Sequence, residues 1–258
     1  MLLAAAVCPH PPLLVPQLTG ASAQRPPSGP AADAATAAAT LRETCLTAVR
    51  DLIAAGDQAG SELDVVVVGT GPTPGSAAPD AVGSLAGYGA DVTVGLTRVV
   101  PDVAPSGTPT LPLSVTIGVW LLRAAGYAGP VRARVVTENA TPAECADLGS
   151  RISGFPVPTA LLVMGDGSAS RDEKAPGALD PRAVPFDTAV ADALATVDTA
   201  ALAALDPALA RELLAAGRAP WQILAGAVSA DGRPWKGELR SADAPYGVGY
   251  LVASWSPA

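Results

Sequence analysis

A single imidazole is the starting point for chemistry in this sequence: His10 is the only histidine among 258 residues, set between Pro9 and Pro11. It is the one side chain whose ordinary titration falls near neutrality, so it can serve as a proton carrier, a metal ligand or a hydrogen-bonding strut. Cys8 lies two residues away, and side chains two apart on extended backbone point the same way. A packed thiol is nevertheless the default for Cys8, because unpaired cysteines are among the most buried residue types. Asp166 follows an apolar run and is flanked by Gly165 and Gly167, which let other groups approach closely; Ser168 comes next. A lone histidine oriented by such a carboxylate can act as general acid and base in a hydrolytic or lyase reaction. A structural role, with His10 bonded to a backbone carbonyl or to Asp166, competes with that reading, as does an altered metal site. Asp166 could equally cap its own next turn.

Other segments are weaker candidates. Gly69–Gly75 (GTGPTPG) could cradle a phosphate or carboxylate with backbone N–H groups. Pro72 and Pro74 remove two of those donors, and the spacing fits neither a dinucleotide fingerprint nor a P-loop, so a tight turn is the plainer account. Tyr246 and Tyr250, beside Gly247 and Gly249, either line a cleft or pack on a sheet. Arg171–Lys174 reads as a solvated charged loop.

The elements that must position these residues alternate between strand and helix. Leu2–Val7 is an apolar strand stopped by Pro9, Pro11 and Pro12, which cannot donate to a sheet ladder. Asp64–Val68 (DVVVV) and Thr159–Met164 (TALLVM) are unbroken apolar strands, the pattern of a sheet covered on both faces. Val92–Leu96, Val131–Thr137 and Gly247–Ala253 read as further strands. Residues 31–55 form a helix with Leu41, Leu46, Val49 and Ile53 as its apolar stripe. Leu111–Leu122 reads as a core helix. Thr141–Pro142–Ala143–Glu144 carries the signature of a capped helix start. Phe186, Val190, Leu194 and Val197 mark another helical face, later Ala/Leu helices are separated near Asp206–Pro207 and Gly217, and Trp221–Val228 is the last helix. Gln24–Pro30 is the segment with most flexible-linker character. The alternation predicts one three-layer α/β/α domain over residues 1–258, with a mixed, mostly buried central sheet. Ligands of such sheets gather beyond the carboxyl ends of the strands, where the loops starting at Cys8, Gly69 and Gly165 lie.

Composition excludes several classes. The hydrophobic share of 49% against 16% charged supports a substantial core. A formal net charge of −8 opposes nucleic-acid binding, and Arg132 with Arg134, the nearest thing to a basic cluster, reads as a solvated sheet face. Cys8, Cys45 and Cys145 are odd in number and far apart, which argues against a disulfide framework or structural zinc and for a reducing cytoplasm. No apolar run reaches the length of a membrane span.

Three segments together carry a family resemblance. PHPPLLVP (Pro9–Pro16), GDGSASRDEKAPGALDP followed by Phe186–Asp187, and SADAPYGVGYLVAS (Ser241–Ser254) resemble the ordered motifs of the LigB-like superfamily, the B-type subunits of class III extradiol dioxygenases and their Memo-like relatives. The resemblance spans nearly the whole chain and implies an α/β/α fold with a mixed central sheet. Active members hold Fe(II) with two histidines and a carboxylate, leaving positions open for a catechol-type substrate and oxygen. His10 matches the first ligand. Gly71 or a neighbour stands where the second histidine belongs, Asp243 falls at the carboxylate, and Ala169 replaces a further histidine thought to move protons. The resemblance therefore implies a family member that has lost its iron site and binds a small ligand, or runs a different reaction, in the old cleft. His10 and Asp166 are its catalytic candidates, and Gly71, Ser168, Asp243 and Tyr246 its ligand-binding ones. No cofactor is expected; Fe(II) or another divalent metal, held by His10 and Asp243, enters only if the site still functions. An active ring-cleaving oxidoreductase with an unusual ligand set is one alternative, and a non-catalytic interaction or scaffolding subunit is another. A homo-oligomer is compatible with all three.

Overall fold

A computed structural model describes residues 1–19, 30–58, 60, 63–97 and 109–258. Seven strands form one sheet in the order β3-β6-β2-β7-β1-β9-β8. In chain order they are β1 (Leu2–Cys8), β2 (Asp64–Thr70), β3 (Gly75–Ser76), β6 (Val131–Val136), β7 (Thr159–Met164), β8 (Trp235–Asp243) and β9 (Tyr250–Pro257). β6, β2, β7 and β1 are mutually parallel, while β9, β8 and β3 run antiparallel to their neighbours. A separate ribbon pairs β4 (Val82–Ser84) with β5 (Thr93–Gly95).

The valines of β2 show why this sheet is central. Val65 and Val67 join one apolar cluster, with residues of α1 (Pro30–Gln58) and α2 (Leu113–Ala124). Val66 and Val68 join a second, under α3 (Pro142–Ser153), α4 (Ala183–Thr196), α5 (Thr199–Ala203), α6 (Pro207–Glu212) and α7 (Arg218–Asp231). Period-two alternation thus feeds two cores, as the unbroken run predicts. A register shift between Leu2 and Ala4 in β1 puts Leu2, Ala5 and Val7 on the second face and Ala6 and Cys8 on the first.

α1 buries Leu41, Cys45, Ala48, Val49 and Leu52, spaced to form one stripe on the sheet. α3 begins with a full capping box: the Glu144 N–H donates to Thr141 Oγ1, and the Thr141 N–H donates to the Glu144 carboxylate. α3 and α7 meet through glycines. A Cβ on Gly149 would lie 2.2 Å from the Ile223 carbonyl oxygen, and one on Gly226 would lie 2.7 Å from Ala146 Cα.

Three features depart from the sequence expectation. Val92–Leu96 supplies a strand of only Thr93–Gly95, and it belongs to the small ribbon rather than the central sheet. β8 was not legible as a strand, because its residues alternate between exposed and half-buried and include Lys236, Glu238 and Arg240. Arg132 and Arg134 are not simply solvated: both guanidinium groups stack on Phe155. The Gln24–Pro30 segment lies, apart from Pro30, outside the described residues. Among the described residues no helix is long and apolar enough to cross a membrane.

Candidate functional site

The parallel strands all deliver their carboxyl ends to one side. β1 ends at Cys8, β2 at Thr70, β6 at Val136 and β7 at Met164. Because β9 is antiparallel to β1, it begins at that same side with Tyr250, which pairs with Asp243, the last residue of β8. The sheet therefore gathers the histidine loop, the Gly165 loop and the 241–250 turn, as expected for a ligand site in an α/β fold.

His10 and Asp166 come together. The His10 N–H donates to Asp166 Oδ1 at 2.7 Å, and the ring Nδ1 lies 3.4 Å from the same oxygen. At that longer distance the ring is out of hydrogen-bonding alignment, and Nδ1 is a buried nitrogen without a hydrogen-bond partner among the described residues. Asp166 thus ties two loops together. Its position is fixed from behind, where the Gly165 N–H donates to the Cys8 carbonyl and the Gly217 N–H to the Asp166 carbonyl. A Cβ on Gly165 would sit 2.4 Å from Gly217 Cα, so the start of α7 packs directly on this loop. The glycines around Asp166 are there for close approach, as their placement in the sequence suggests.

Ser168 is not open to a ligand. It is fully buried; its N–H donates to Asp187 Oδ1 at 2.8 Å and its hydroxyl to Asp187 Oδ2 at 2.7 Å. Arg171 reaches the same carboxylate at 3.3 Å, which corrects the reading of Arg171–Lys174 as wholly solvated. Burial pushes the Asp187 carboxyl up, against the pull of the Ser168 bonds and of Arg171. Asp187 was visible in sequence only as part of a motif; its role as the buried anchor of the Gly165 loop was not. The loop is further laced to the 247–249 turn by Gly167 N–H to the Gly249 carbonyl (2.7 Å) and Gly249 N–H to the Ser168 carbonyl (2.8 Å).

Tyr250 is buried beneath this turn, with Tyr246 set edge-on at 6.4 Å between ring centroids. Burial raises the Tyr250 hydroxyl, and the Asp166 carboxylate raises it further. Tyr246 is half-buried and packs against the apolar cluster, so sheet packing accounts for its ring. Cys8 and Cys45 are both buried free thiols; burial holds the Cys45 thiol up, with Cys8 and Asp166 adding to it.

Gly71 and Asp243 have contacts of their own. Gly71 donates its N–H to the Val136 carbonyl, and a Cβ there would lie 2.8 Å from Val135 Cγ1 and 2.9 Å from Pro112 Cβ. Packing accounts for this glycine. Asp243 is exposed and accepts the Ala244 N–H at 2.7 Å. β8 lies two strands from β1, an offset of about 10 Å at the usual strand spacing.

These positions do not fit a two-histidine, one-carboxylate iron centre. The second imidazole has no counterpart, and the acid that should complete the set turns to its own backbone. Among the described residues no three His, Cys, Asp or Glu side chains are grouped to hold a metal. Cavities of about 370, 450 and 400 Å³ open elsewhere on the molecule, and none of these three is lined by His10 or Asp166.

No family model and no curated protein matches the chain. Solved structures do match it. One, described as the crystal structure of the uncharacterized protein JW3007 from Escherichia coli K12, aligns with 98% of this chain and 99% of that chain at a TM-score of 0.48 and 11% identity.

Proposed function

We propose that this chain is a LigB-like protein that does not perform iron-dependent ring cleavage, and that the loops at the carboxyl ends of its parallel strands bind a small ligand on which His10 moves a proton. The observation that carries this reading is the buried Nδ1 of His10, 3.4 Å from Asp166 Oδ1 and without a hydrogen-bond partner among the described residues. A proton held on Nδ1 toward that carboxylate leaves the Nε2 lone pair as the base, and a small rotation of the ring completes the bond. Membership of the LigB-like superfamily is supported by the way the three motif segments meet: the first is bonded to the second through Asp166, and the second to the third through Gly167 and Gly249. The absence of a second imidazole, with Gly71 locked by Val135 and Pro112, argues against the iron chemistry of that superfamily.

Because the chain has one histidine, its imidazole gives a single NMR signal that reports on the cleft. Catechol, the ring class bound by active members, is the first probe. A saturable shift of the His10 signal, weakened in Asp166→Asn, is the expected result. A signal indifferent both to catechol and to related hydroxylated aromatics would overturn the proposal.

A further inference from the structure

A second place in the molecule has the makings of a ligand site, away from His10. Between the β3–β6 edge and α3 lies a cavity of about 450 Å³, within the range of small-molecule sites. Its apolar walls come from Val136, Leu148 and Ile152, with Phe155 at one side and Arg134 and Ser76 at the rim of the sheet. Leu148 and Ile152 are four residues apart and so share one face of α3.

The charges around this cavity are unevenly satisfied. Three arginines cluster here, and two have carboxylate partners: Arg132 with Asp64 at 2.8 Å, and Arg151 with Asp147. Among the described residues Arg134 has none. Among the described residues its guanidinium makes one long hydrogen bond, 3.4 Å to the Ala133 carbonyl, and its Cζ lies 5.8 Å from the Phe155 ring centroid. The Arg132 Cζ lies 5.4 Å from the same ring. Burial lowers the tendency of Arg134 to carry its proton, and the charges of Arg132 and Arg151 lower it further, with the Asp64 carboxylate pulling the other way. Glu144 also lines the cavity, and its Oε2 accepts the Thr141 N–H and hydroxyl. Its charge would disfavour a doubly charged ligand.

We propose that this cavity binds a small organic carboxylate, its single negative charge on Arg134 and its apolar body over Leu148, Ile152 and Phe155. A planar guanidinium stacked on an aromatic ring presents its fork in a fixed orientation, which suits the two oxygens of a carboxylate. A phosphate monoester would bring more charge than the Arg134 guanidinium can neutralise beside Glu144. The site is separate from the His10 cleft and does not depend on the function proposed for it.

The test is calorimetric titration of the full chain with benzoate, phenylacetate and hexanoate, with neutral benzamide as control. At least one carboxylate is expected to bind one per chain, benzamide about tenfold or more weaker, since a hydrogen bond to a charged group is lost. Arg134→Gln should weaken carboxylate binding by a similar factor, and Leu148→Trp, which fills the cavity from α3, should abolish it. The His10 NMR signal should not move. Failure of all three carboxylates to bind at millimolar concentration would overturn the proposal. So would binding unchanged in both variants, or a His10 signal that follows the titration. If Arg134→Gln does not fold, Leu148→Trp alone decides.

Discussion

Removing the Asp187 carboxylate is the perturbation whose cost can be worked most directly from the structure. The side chain is 2% exposed and accepts the N–H and hydroxyl of fully buried Ser168, together with Arg171. Asp187→Ala would strand both Ser168 groups away from water. At about 1–3 kcal/mol for each buried group left unsatisfied, the expected loss is about 4 kcal/mol. With a urea slope of about 3 kcal/mol/M, the midpoint should fall by more than about 1 M. Asp187→Asn keeps an oxygen for the Ser168 N–H and can offer its amide to the hydroxyl oxygen, so about 1–2 kcal/mol is expected. The pH dependence gives a second signature. Burial raises the Asp187 carboxyl in the folded state, so the folded chain holds this proton more tightly than the unfolded one. Its contribution is fully present below the ordinary carboxylate range and is lost as pH rises through the raised folded value. Asp187→Asn should flatten that fall. Urea titrations of the wild type and both variants across the acid range would measure all of this. An alanine variant that lost less than about 1 kcal/mol at unchanged slope would refute the reasoning, showing that Ser168 finds other partners.

Other consequences are open to simple assays. Cys8, Cys45 and Cys145 are buried and unpaired, and burial pushes the Cys145 thiol up to about 11, so a thiol reagent near pH 8 should label none until denaturant is added. Gly149→Ala should destabilise the chain by about 1–3 kcal/mol in the same urea assay, because its Cβ meets the Ile223 backbone rather than a movable side chain. Thr141→Ala removes an exposed capping box and should cost about 1 kcal/mol.

What the sequence revealed follows physical period and punctuation. The strands β1, β2 and β7 are continuous apolar runs, and the prolines after Cys8 end β1 where the loop begins. The cap of α3 was readable because four consecutive residues carry its whole mechanism. The pairing of His10 with Asp166 was readable as one of several options, since both follow strands that prove to be neighbours in the sheet. Other features rest on contacts that leave no local trace. Nothing near Ser168 announces that Asp187, nineteen residues on, takes its two hydrogen bonds. Arg134 reads as a surface residue until Phe155, from beyond α3, is found against it. Gly71 could be taken for a turn residue or for the place of a missing histidine; only the approach of Val135 and Pro112 shows that packing holds it.

The account turns on whether the His10 cleft is a metal centre. Elemental analysis of protein purified anaerobically without chelator, with His10→Ala alongside, tests this directly. No stoichiometric iron or manganese in either protein is the predicted result. One metal ion per chain in the wild type, lost in His10→Ala, would contradict the account and make the cleft an oxygenase site with an unusual ligand set.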